Sequence, residues 1–258
     1  MKTQMTVSSV PHRQTTRERL IAYFVQHPIR SALIIFLIFL ATSTSLGLAA
    51  KAFLPQFQPE FVALIILSGL VALALTGLGW WRIAGFNRTS EWRDVGLVVI
   101  PFLIVIGLPF LKGINLGNGR SFWYLVVGYA LTGFMEEGLM RGIVLRVLAP
   151  TGITRSVIIS SLLFGLLHIG NMLYRNPFIV LAQMLGAFVQ GIGLGAIRLR
   201  TNTIWFVIIL HGLHDLFLKY TNFPPIPLDV VQVTLTMLYG IYILRTWKRE
   251  GETTVTAQ

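Results

Sequence analysis

Long apolar stretches follow one another along almost the whole chain, and they constrain its fold more than any other feature. Crossing the hydrocarbon core of a bilayer takes about 20 residues of α-helix, and a helix satisfies its own backbone polar groups without water. The stretches are residues 31–50, 61–81, 95–111, 121–140, 154–173, 178–197, 203–219 and 228–246. They predict an all-α polytopic membrane protein with about eight transmembrane helices.

The composition argues against a water-soluble protein. The 258 residues are 54% hydrophobic and only 12% charged, whereas soluble domains carry about 25% charged residues. The apolar stretches predict one transmembrane domain over residues 31–246, between a basic N-terminal tail (1–30) and a short C-terminal tail (247–258). Because the chain has no cysteine, a disulfide, a thiol nucleophile and a thiolate metal site are excluded.

The positive charges indicate how the chain is oriented. The net charge of +11 comes from basic residues in the tails and in short loops between apolar stretches, a pattern that indicates a membrane protein and no binding of nucleic acid. Sixteen Lys and Arg residues lie in the tails and loops of one side, and five lie on the other side. Because cytoplasmic loops are enriched in Lys and Arg, a cell-membrane protein with both termini in the cytoplasm is predicted.

Prolines and glycines predict local features of the helices. Pro101 and Pro109 interrupt the third stretch, which predicts a kinked or partly re-entrant segment. Small residues four positions apart predict close helix packing in the fourth and sixth stretches. These pairs are Gly138 with Gly142, and Gly191 with Gly195.

Several ionisable residues lie inside apolar stretches. Glu136 and Glu137 belong to the fourth stretch, His168 to the fifth, and His211 and Asp215 to the seventh. A charged side chain at the centre of a membrane helix costs about 3 kcal/mol or more, so it is retained mainly where it is paired, hydrated or functional. Together these residues predict an intramembrane active site.

The two adjacent glutamates are predicted to have different roles. Their side chains project about 100° apart on a helix. Glu137 lies four residues before Arg141, which is the spacing of an intrahelical ion pair, and this pair leaves Glu136 as the free carboxylate. The alternative is that the cluster only ends the fourth helix at the interface, with Arg141 reaching towards water.

The histidines share helix faces with other motif residues. His168 follows Phe164 by four residues, and Asp215 follows His211 by four. An Asp beside a His can orient the ring or raise its basicity. Each motif alone also has a structural interpretation. His168 could be a buried, hydrogen-bonded packing residue, and His211 with Asp215 could be a structural pair. Their joint occurrence favours one functional site.

Two mechanisms of amide hydrolysis suit these residue types. A carboxylate and a histidine can activate a water molecule, while a second imidazole stabilises a tetrahedral oxyanion. Alternatively, Glu136, His168 and His211 could hold a divalent metal, zinc, with an open position for water. The sequence has no His-Glu-x-x-His and no Gly-x-Ser-x-Gly, so the usual zincin and covalent serine routes are poorly supported.

Three motifs in this order on late membrane helices resemble the CPBP family, the group of type II CAAX prenyl proteases and bacteriocin-processing (Abi) intramembrane proteases. They are Glu-Glu-x-x-x-Arg at 136–141, Phe-x-x-x-His at 164–168 and His-x-x-x-Asp at 211–215, and the resemblance covers roughly 120–220. It implies that Glu136 and His168 activate the attacking water and that Arg141 holds Glu137.

The resemblance also implies an oxyanion site formed by His211 and the residue at position 215. The eukaryotic CAAX enzymes carry Asn at this position, whereas this chain has Asp215. An ionised Asp cannot donate a hydrogen bond to an oxyanion. The Asp favours the bacterial branch of the family and leaves both the glutamate mechanism and the metal mechanism open.

The predicted function is therefore an intramembrane endopeptidase acting on membrane-associated peptide or protein substrates, with the lipid bilayer as its surroundings. A membrane transporter or proton relay is the first alternative, since such proteins also keep Glu and His in their core. The sequence shows no inverted repeat to support it. A non-catalytic immunity or scaffold protein of the same fold is the second alternative.

Overall fold

A computed structural model describes residues 14–89, 92–117 and 121–246, and over these ranges the chain is helical apart from its connections and one isolated bridge. The helices are α1 (Thr16–Gln26), α2 (Pro28–Phe53), α3 (Pro59–Leu78), α4 (Trp92–Gly107), α5 (Phe122–Glu137), α6 (Leu145–Leu148), α7 (Ile153–Leu167), α8 (Pro177–Thr201), α9 (Trp205–Tyr220) and α10 (Pro225–Thr246). The predicted all-α class is confirmed. Residues 1–13 of the predicted N-terminal tail and the predicted C-terminal tail lie outside the described residues.

Six helical segments among the described residues are long and apolar enough to cross a membrane. They are Pro28–Phe53, Pro59–Leu78, Val95–Lys112, Ile153–Leu173, Pro177–Thr201 and Pro225–Thr246. The other two predicted stretches correspond to α5 and α9, which have 16 residues each. The chain is thus a polytopic membrane protein, and the two shorter helices are the ones that carry the first and third motifs.

Local sequence signals explain where several helices begin. Pro28, Pro59 and Pro177 stand in the first turn of α2, α3 and α8, where a missing backbone N–H costs nothing. Before α1, the Thr15 side chain accepts from the backbone N–H of Glu18, and the Glu18 carboxylate accepts from the backbone N–H of Thr15. This capping box satisfies two otherwise unpaired donors.

The third segment is irregular at its second proline, whereas a kink or a re-entrant path stays a prediction. Pro101 lies inside α4, which ends at Gly107. A 3-10 turn, Leu108–Lys112, contains Pro109 and continues the segment. A proline removes a helical hydrogen bond. The 3-10 turn accommodates Pro109, so the helical segment continues to Lys112.

Glycines allow the central helices to approach one another closely. α8 packs between α7 and α10, and α5 packs along α9. A Cβ atom on Gly240 of α10 would lie 2.6 Å from the Cα of Gly193 on α8, and one on Gly133 of α5 would lie 2.7 Å from the carbonyl oxygen of Ile208 on α9. Close packing therefore joins α5 to α9 and α8 to α10, while α7 packs on the α8 side.

Close packing at the predicted glycine pairs is also confirmed. A Cβ atom on Gly142 would lie 3.3 Å from the Cβ of Ala84, and one on Gly195 would lie 3.1 Å from a methyl group of Val157. Neither neighbour is on the same helix as its glycine. The pairs therefore mark contacts between chain segments, as small residues commonly do in membrane proteins.

Candidate active site

A buried, irregular turn carries the arginine of the first motif. α5 ends at Glu137, and Gly138–Val144 form a π-helix before α6 begins. All seven residues of the π-helix are buried. Such insertions are rare and occur frequently at functional sites. No sequence pattern predicted this turn, which brings Arg141 into the protein interior directly after the two glutamates.

Glu137 is the centre of a buried network. Its Oε1 atom accepts from Nη1 of Arg141 at 3.0 Å and from Nδ1 of His211 at 2.8 Å. The Glu137 side chain has no exposed surface, and the other two side chains are nearly as enclosed. The predicted ion pair is confirmed. The bond to His211 was not predicted, because it joins two helices that are distant in sequence.

The guanidinium of Arg141 occupies a narrow slot between two other helices. Its Cζ atom lies 4.4 Å from the ring centroid of Phe164 on α7, a cation–π contact. On α8, a Cβ atom at Gly191 would lie 2.9 Å from Nη2 of Arg141. The phenylalanine of the second motif and one predicted packing glycine therefore both shape the surroundings of the buried ion pair.

His168 lies where α7 ends, at the start of a 3-10 turn, His168–Leu173. Its Nδ1 atom is 3.0 Å from the carbonyl oxygen of Phe164. Because a carbonyl oxygen only accepts hydrogen bonds, Nδ1 carries the hydrogen, and Nε2 is the basic nitrogen of the neutral ring. The backbone contact thus assigns different chemistry to the two nitrogens.

Four of the predicted residues line one cavity of about 580 Å³ between α5, α7, α8, α9 and α10. They are Glu136, His168, His211 and Asp215. The Glu136 side chain is 14% exposed, whereas that of Glu137 is fully enclosed. The two adjacent glutamates have different surroundings, in agreement with the 100° separation of their side chains.

A second cavity of similar volume meets the first at Glu136. The two cavities share Thr132, Glu136 and Arg175, and the second extends to Glu60 at the start of α3 and to Lys219 near the end of α9. Glu136 therefore lines both cavities.

Carboxylates surround the imidazole of His211. Its Nδ1 bonds to Glu137, and its Nε2 lies 3.6 Å from Oε2 of Glu136 and 3.6 Å from Oδ2 of Asp215. The predicted proximity of His211 and Asp215 is confirmed at ion-pair distance. The arrangement can hold a positively charged ring, which would have an N–H group directed towards the cavity.

Two further polar residues adjoin this cluster and were not predicted. Nδ1 of His214 lies 3.3 Å from Oδ1 of Asp215, and Nε2 of His214 lies 3.3 Å from Oδ1 of Asp229 on α10. The signal that could have found Asp229 is its position inside the last apolar stretch, 228–246. His214 is off the line of His211 and Asp215 along the helix, so the four-residue spacing did not identify it.

The three predicted zinc ligands do not form a compact ligand set. Glu136 and His211 are neighbours at 3.6 Å, and His168 lines the same cavity. Within the described part of the chain, however, no three His, Asp or Glu side chains are arranged to hold one metal ion. As placed, these side chains do not fit a three-ligand catalytic zinc site, and zinc dependence stays a prediction.

Comparison with known proteins agrees with the motifs. Residues 118–217 match the family described as type II CAAX prenyl endopeptidase, Rce1-like, and the matched segment contains all six predicted site residues. No curated protein and no solved structure matches the chain. A protease family and six apolar helices imply a multi-pass membrane protein with a protein substrate. The segment that holds the three motifs is thus similar to the Rce1-like family of type II CAAX prenyl endopeptidases.

Proposed function

We propose that this protein is an intramembrane endopeptidase that hydrolyses membrane-associated proteins with a water molecule activated by Glu136 and His168. One observation carries the proposal: Glu137 is enclosed by Arg141 and His211, whereas Glu136 borders both cavities. A general base must reach the proton that it removes, and of the two adjacent glutamates Glu136 is the one with open space around it.

The proton transfers can be written with the protein's own groups. Glu136 accepts a proton from water as the hydroxide adds to the carbonyl carbon of the scissile peptide bond. The protonated Glu136 then gives this proton to the leaving amine as the C–N bond breaks. His168 lines the same cavity, and its Nε2 can accept a hydrogen bond from the water and orient it.

His211 is the proposed donor to the oxyanion. Its Nδ1–H is directed to Glu137, so an Nε2–H is present only when the ring is protonated. The protonated ring can donate to the negative oxygen of the tetrahedral intermediate. Glu137 and Asp215 flank the ring and carry the compensating negative charge. Asp215 thus supports His211 and does not itself need to donate.

The cavities favour an extended polypeptide as the substrate. Two volumes of about 580 Å³ each meet at Glu136. A peptide could therefore occupy space on both sides of the bond that is cut, which a small solute does not require. The CAAX-type relatives make prenylated peptides the first candidates, and other membrane-associated peptides are the second.

Hydrolysis by the purified protein tests this proposal. Wild type and Glu136→Gln, reconstituted in lipid vesicles, would be incubated with a prenylated CAAX peptide, its unprenylated form and a panel of transmembrane peptides, with and without a chelator. Mass spectrometry should detect cleavage by wild type only. Folded wild type that cleaves none of them contradicts the proposal. Ion or solute flux without cleavage would instead favour a transporter. If the protein showed neither cleavage nor flux, a scaffold would be favoured.

A further inference from the structure

His214 stands between two carboxylates from different helices. Its Nδ1 is 3.3 Å from Oδ1 of Asp215 on the same helix, and its Nε2 is 3.3 Å from Oδ1 of Asp229 on α10. The His214 side chain is 7% exposed, whereas those of Asp215 and Asp229 are 28% and 33% exposed. A buried imidazole with a carboxylate at each nitrogen can donate to both only as an imidazolium.

This contact limits how the Asp215 carboxylate can turn. One oxygen, Oδ1, is held by His214, and the other, Oδ2, is directed at Nε2 of His211 at 3.6 Å. Without His214, rotation about the last side-chain bond of Asp215 would cost little, because that torsion is broad. The position of Asp215 beside His211 therefore depends on the contact with His214.

Asp229 extends the contact to a helix outside the family match. It lies on α10, beyond the matched residues 118–217. The carboxylates and rings run in order from Asp229 through His214 and Asp215 to His211 and its partner Glu137. A helix without any of the three motifs thus reaches the proposed oxyanion donor through two intermediate side chains.

We propose that His214 and Asp229 are positioning residues that hold the Asp215 carboxylate against Nε2 of His211 during hydrolysis. The proposal rests on the proposed function, in which His211 donates to the oxyanion. Both side chains line the cavity with Asp215, and in this role they act through Asp215 and not by binding the substrate. Side chains that orient a catalytic group commonly alter activity about ten- to a hundredfold when they are removed.

Kinetics of variants at Asp229 test the proposal. Asp229→Ala should lower kcat about tenfold with little change in KM, because the loss arises in the transition state. Asp229→Asn should recover part of the rate, since the amide keeps the size of the side chain and an oxygen beside Nε2 of His214. In an Asp215→Asn background, Asp229→Ala should have little further effect, because residues acting through one another are not additive.

A neighbouring residue of α10 provides the matched control. Gln232 is buried and donates to the carbonyl oxygen of Val105 at 2.9 Å, so it fixes α10 without contacting the site. Gln232→Ala should lower the thermal stability of the protein but leave kcat unchanged. Equal losses of kcat in Gln232→Ala and Asp229→Ala would overturn the positioning role. So would a further tenfold loss when Asp229→Ala is added to Asp215→Asn.

A second measurement does not depend on hydrolysis. The chain has five histidines, and ¹⁵N spectra of histidine-labelled protein can be assigned by His211→Gln and His214→Gln. Asp229→Asn and Asp229→Ala should shift the ring nitrogens of both His214 and His211, and Gln232→Ala should shift neither. A shift confined to His214 would overturn the proposal. If the Asp229 variants show these shifts but wild type cleaves no peptide, the proposed protease function is contradicted instead.

Discussion

A single oxygen of Glu137, Oε1, accepts hydrogen bonds from both Arg141 and His211 and so joins the first motif to the third. The side chain is fully enclosed. A carboxylate held in this way can fix the tautomer of His211, but it has no access to a water molecule in the cavity. In the proposed mechanism the adjacent glutamates therefore have different roles: Glu137 orients His211, and Glu136 is the base.

Glu136→Gln should abolish hydrolysis and leave folding nearly intact. The amide keeps the volume and the hydrogen-bonding capacity of the side chain but cannot accept the proton from water, and loss of a general base costs about 10²- to 10⁴-fold in rate. The measurement is kcat/KM on a validated substrate, with thermal unfolding in detergent as the control for folding. Full activity in this variant would exclude Glu136 as the base.

Arg141→Ala should mainly reduce stability. It leaves the enclosed carboxylate of Glu137 without its cation, and breaking a buried ion pair costs about 3–5 kcal/mol. Arg155→Ala, at an exposed position of α7, is the matched control and should change stability little. The unfolding temperatures and yields of the two variants make the comparison, and equal behaviour would contradict the structural role of the ion pair.

Gly191→Ala should disturb the same ion pair from the opposite side. The added methyl group would lie 2.9 Å from Nη2 of Arg141 and 2.9 Å from Cβ of Ser161, so the slot must widen. Overpacking of this kind costs about 1–3 kcal/mol. Gly69→Ala on α3, where no atom lies within 4 Å of the added group, should be neutral. If both variants unfold at the temperature of wild type, Gly191 is not required for the slot.

Asp215→Asn distinguishes the two mechanisms. If Asp215 only supports His211, the amide oxygen replaces one carboxylate oxygen and much of the activity should remain. If Asp215 orients a metal-bound group, activity should fall by about ten- to a hundredfold. An active variant that chelators do not affect would rule out the zinc mechanism. An inactive variant, together with a wild type that loses a bound metal on chelation, would rule out the metal-free one.

Reporter fusions test the predicted orientation. The charge asymmetry of sixteen to five predicts cytoplasmic signals after Arg155 and Arg200, and external signals after Lys112 and Lys219. Because α5 and α9 have only 16 residues each, these fusion sites also test whether both helices cross the bilayer. An external signal after Arg200 would overturn the eight-span arrangement.

Much of the architecture could be predicted from the sequence because it depends on local properties of the chain. A run of about 20 apolar residues must form a helix in lipid, wherever its neighbours lie. The spacing of Glu137 and Arg141 was sufficient to predict their ion pair, since residues four apart on a helix are adjacent. The glycine pairs in the fourth and sixth stretches likewise identified close packing.

Contacts between helices depend on tertiary packing, and spacing within one helix carries no information about them. The bond from Glu137 to His211 joins α5 to α9, and the contact of His214 with Asp229 joins α9 to α10. The π-helix after Glu137 is a further example, because its extra residue per turn has no sequence signature. The sequence by itself determined which ionisable groups lie in the membrane. Only the packing of α5, α7, α8, α9 and α10 around the shared cavity decided which groups of different helices meet, such as Glu137 with His211 and His214 with Asp229. The physical reason is that the cost of burying a charge is offset only where a partner lies close to it.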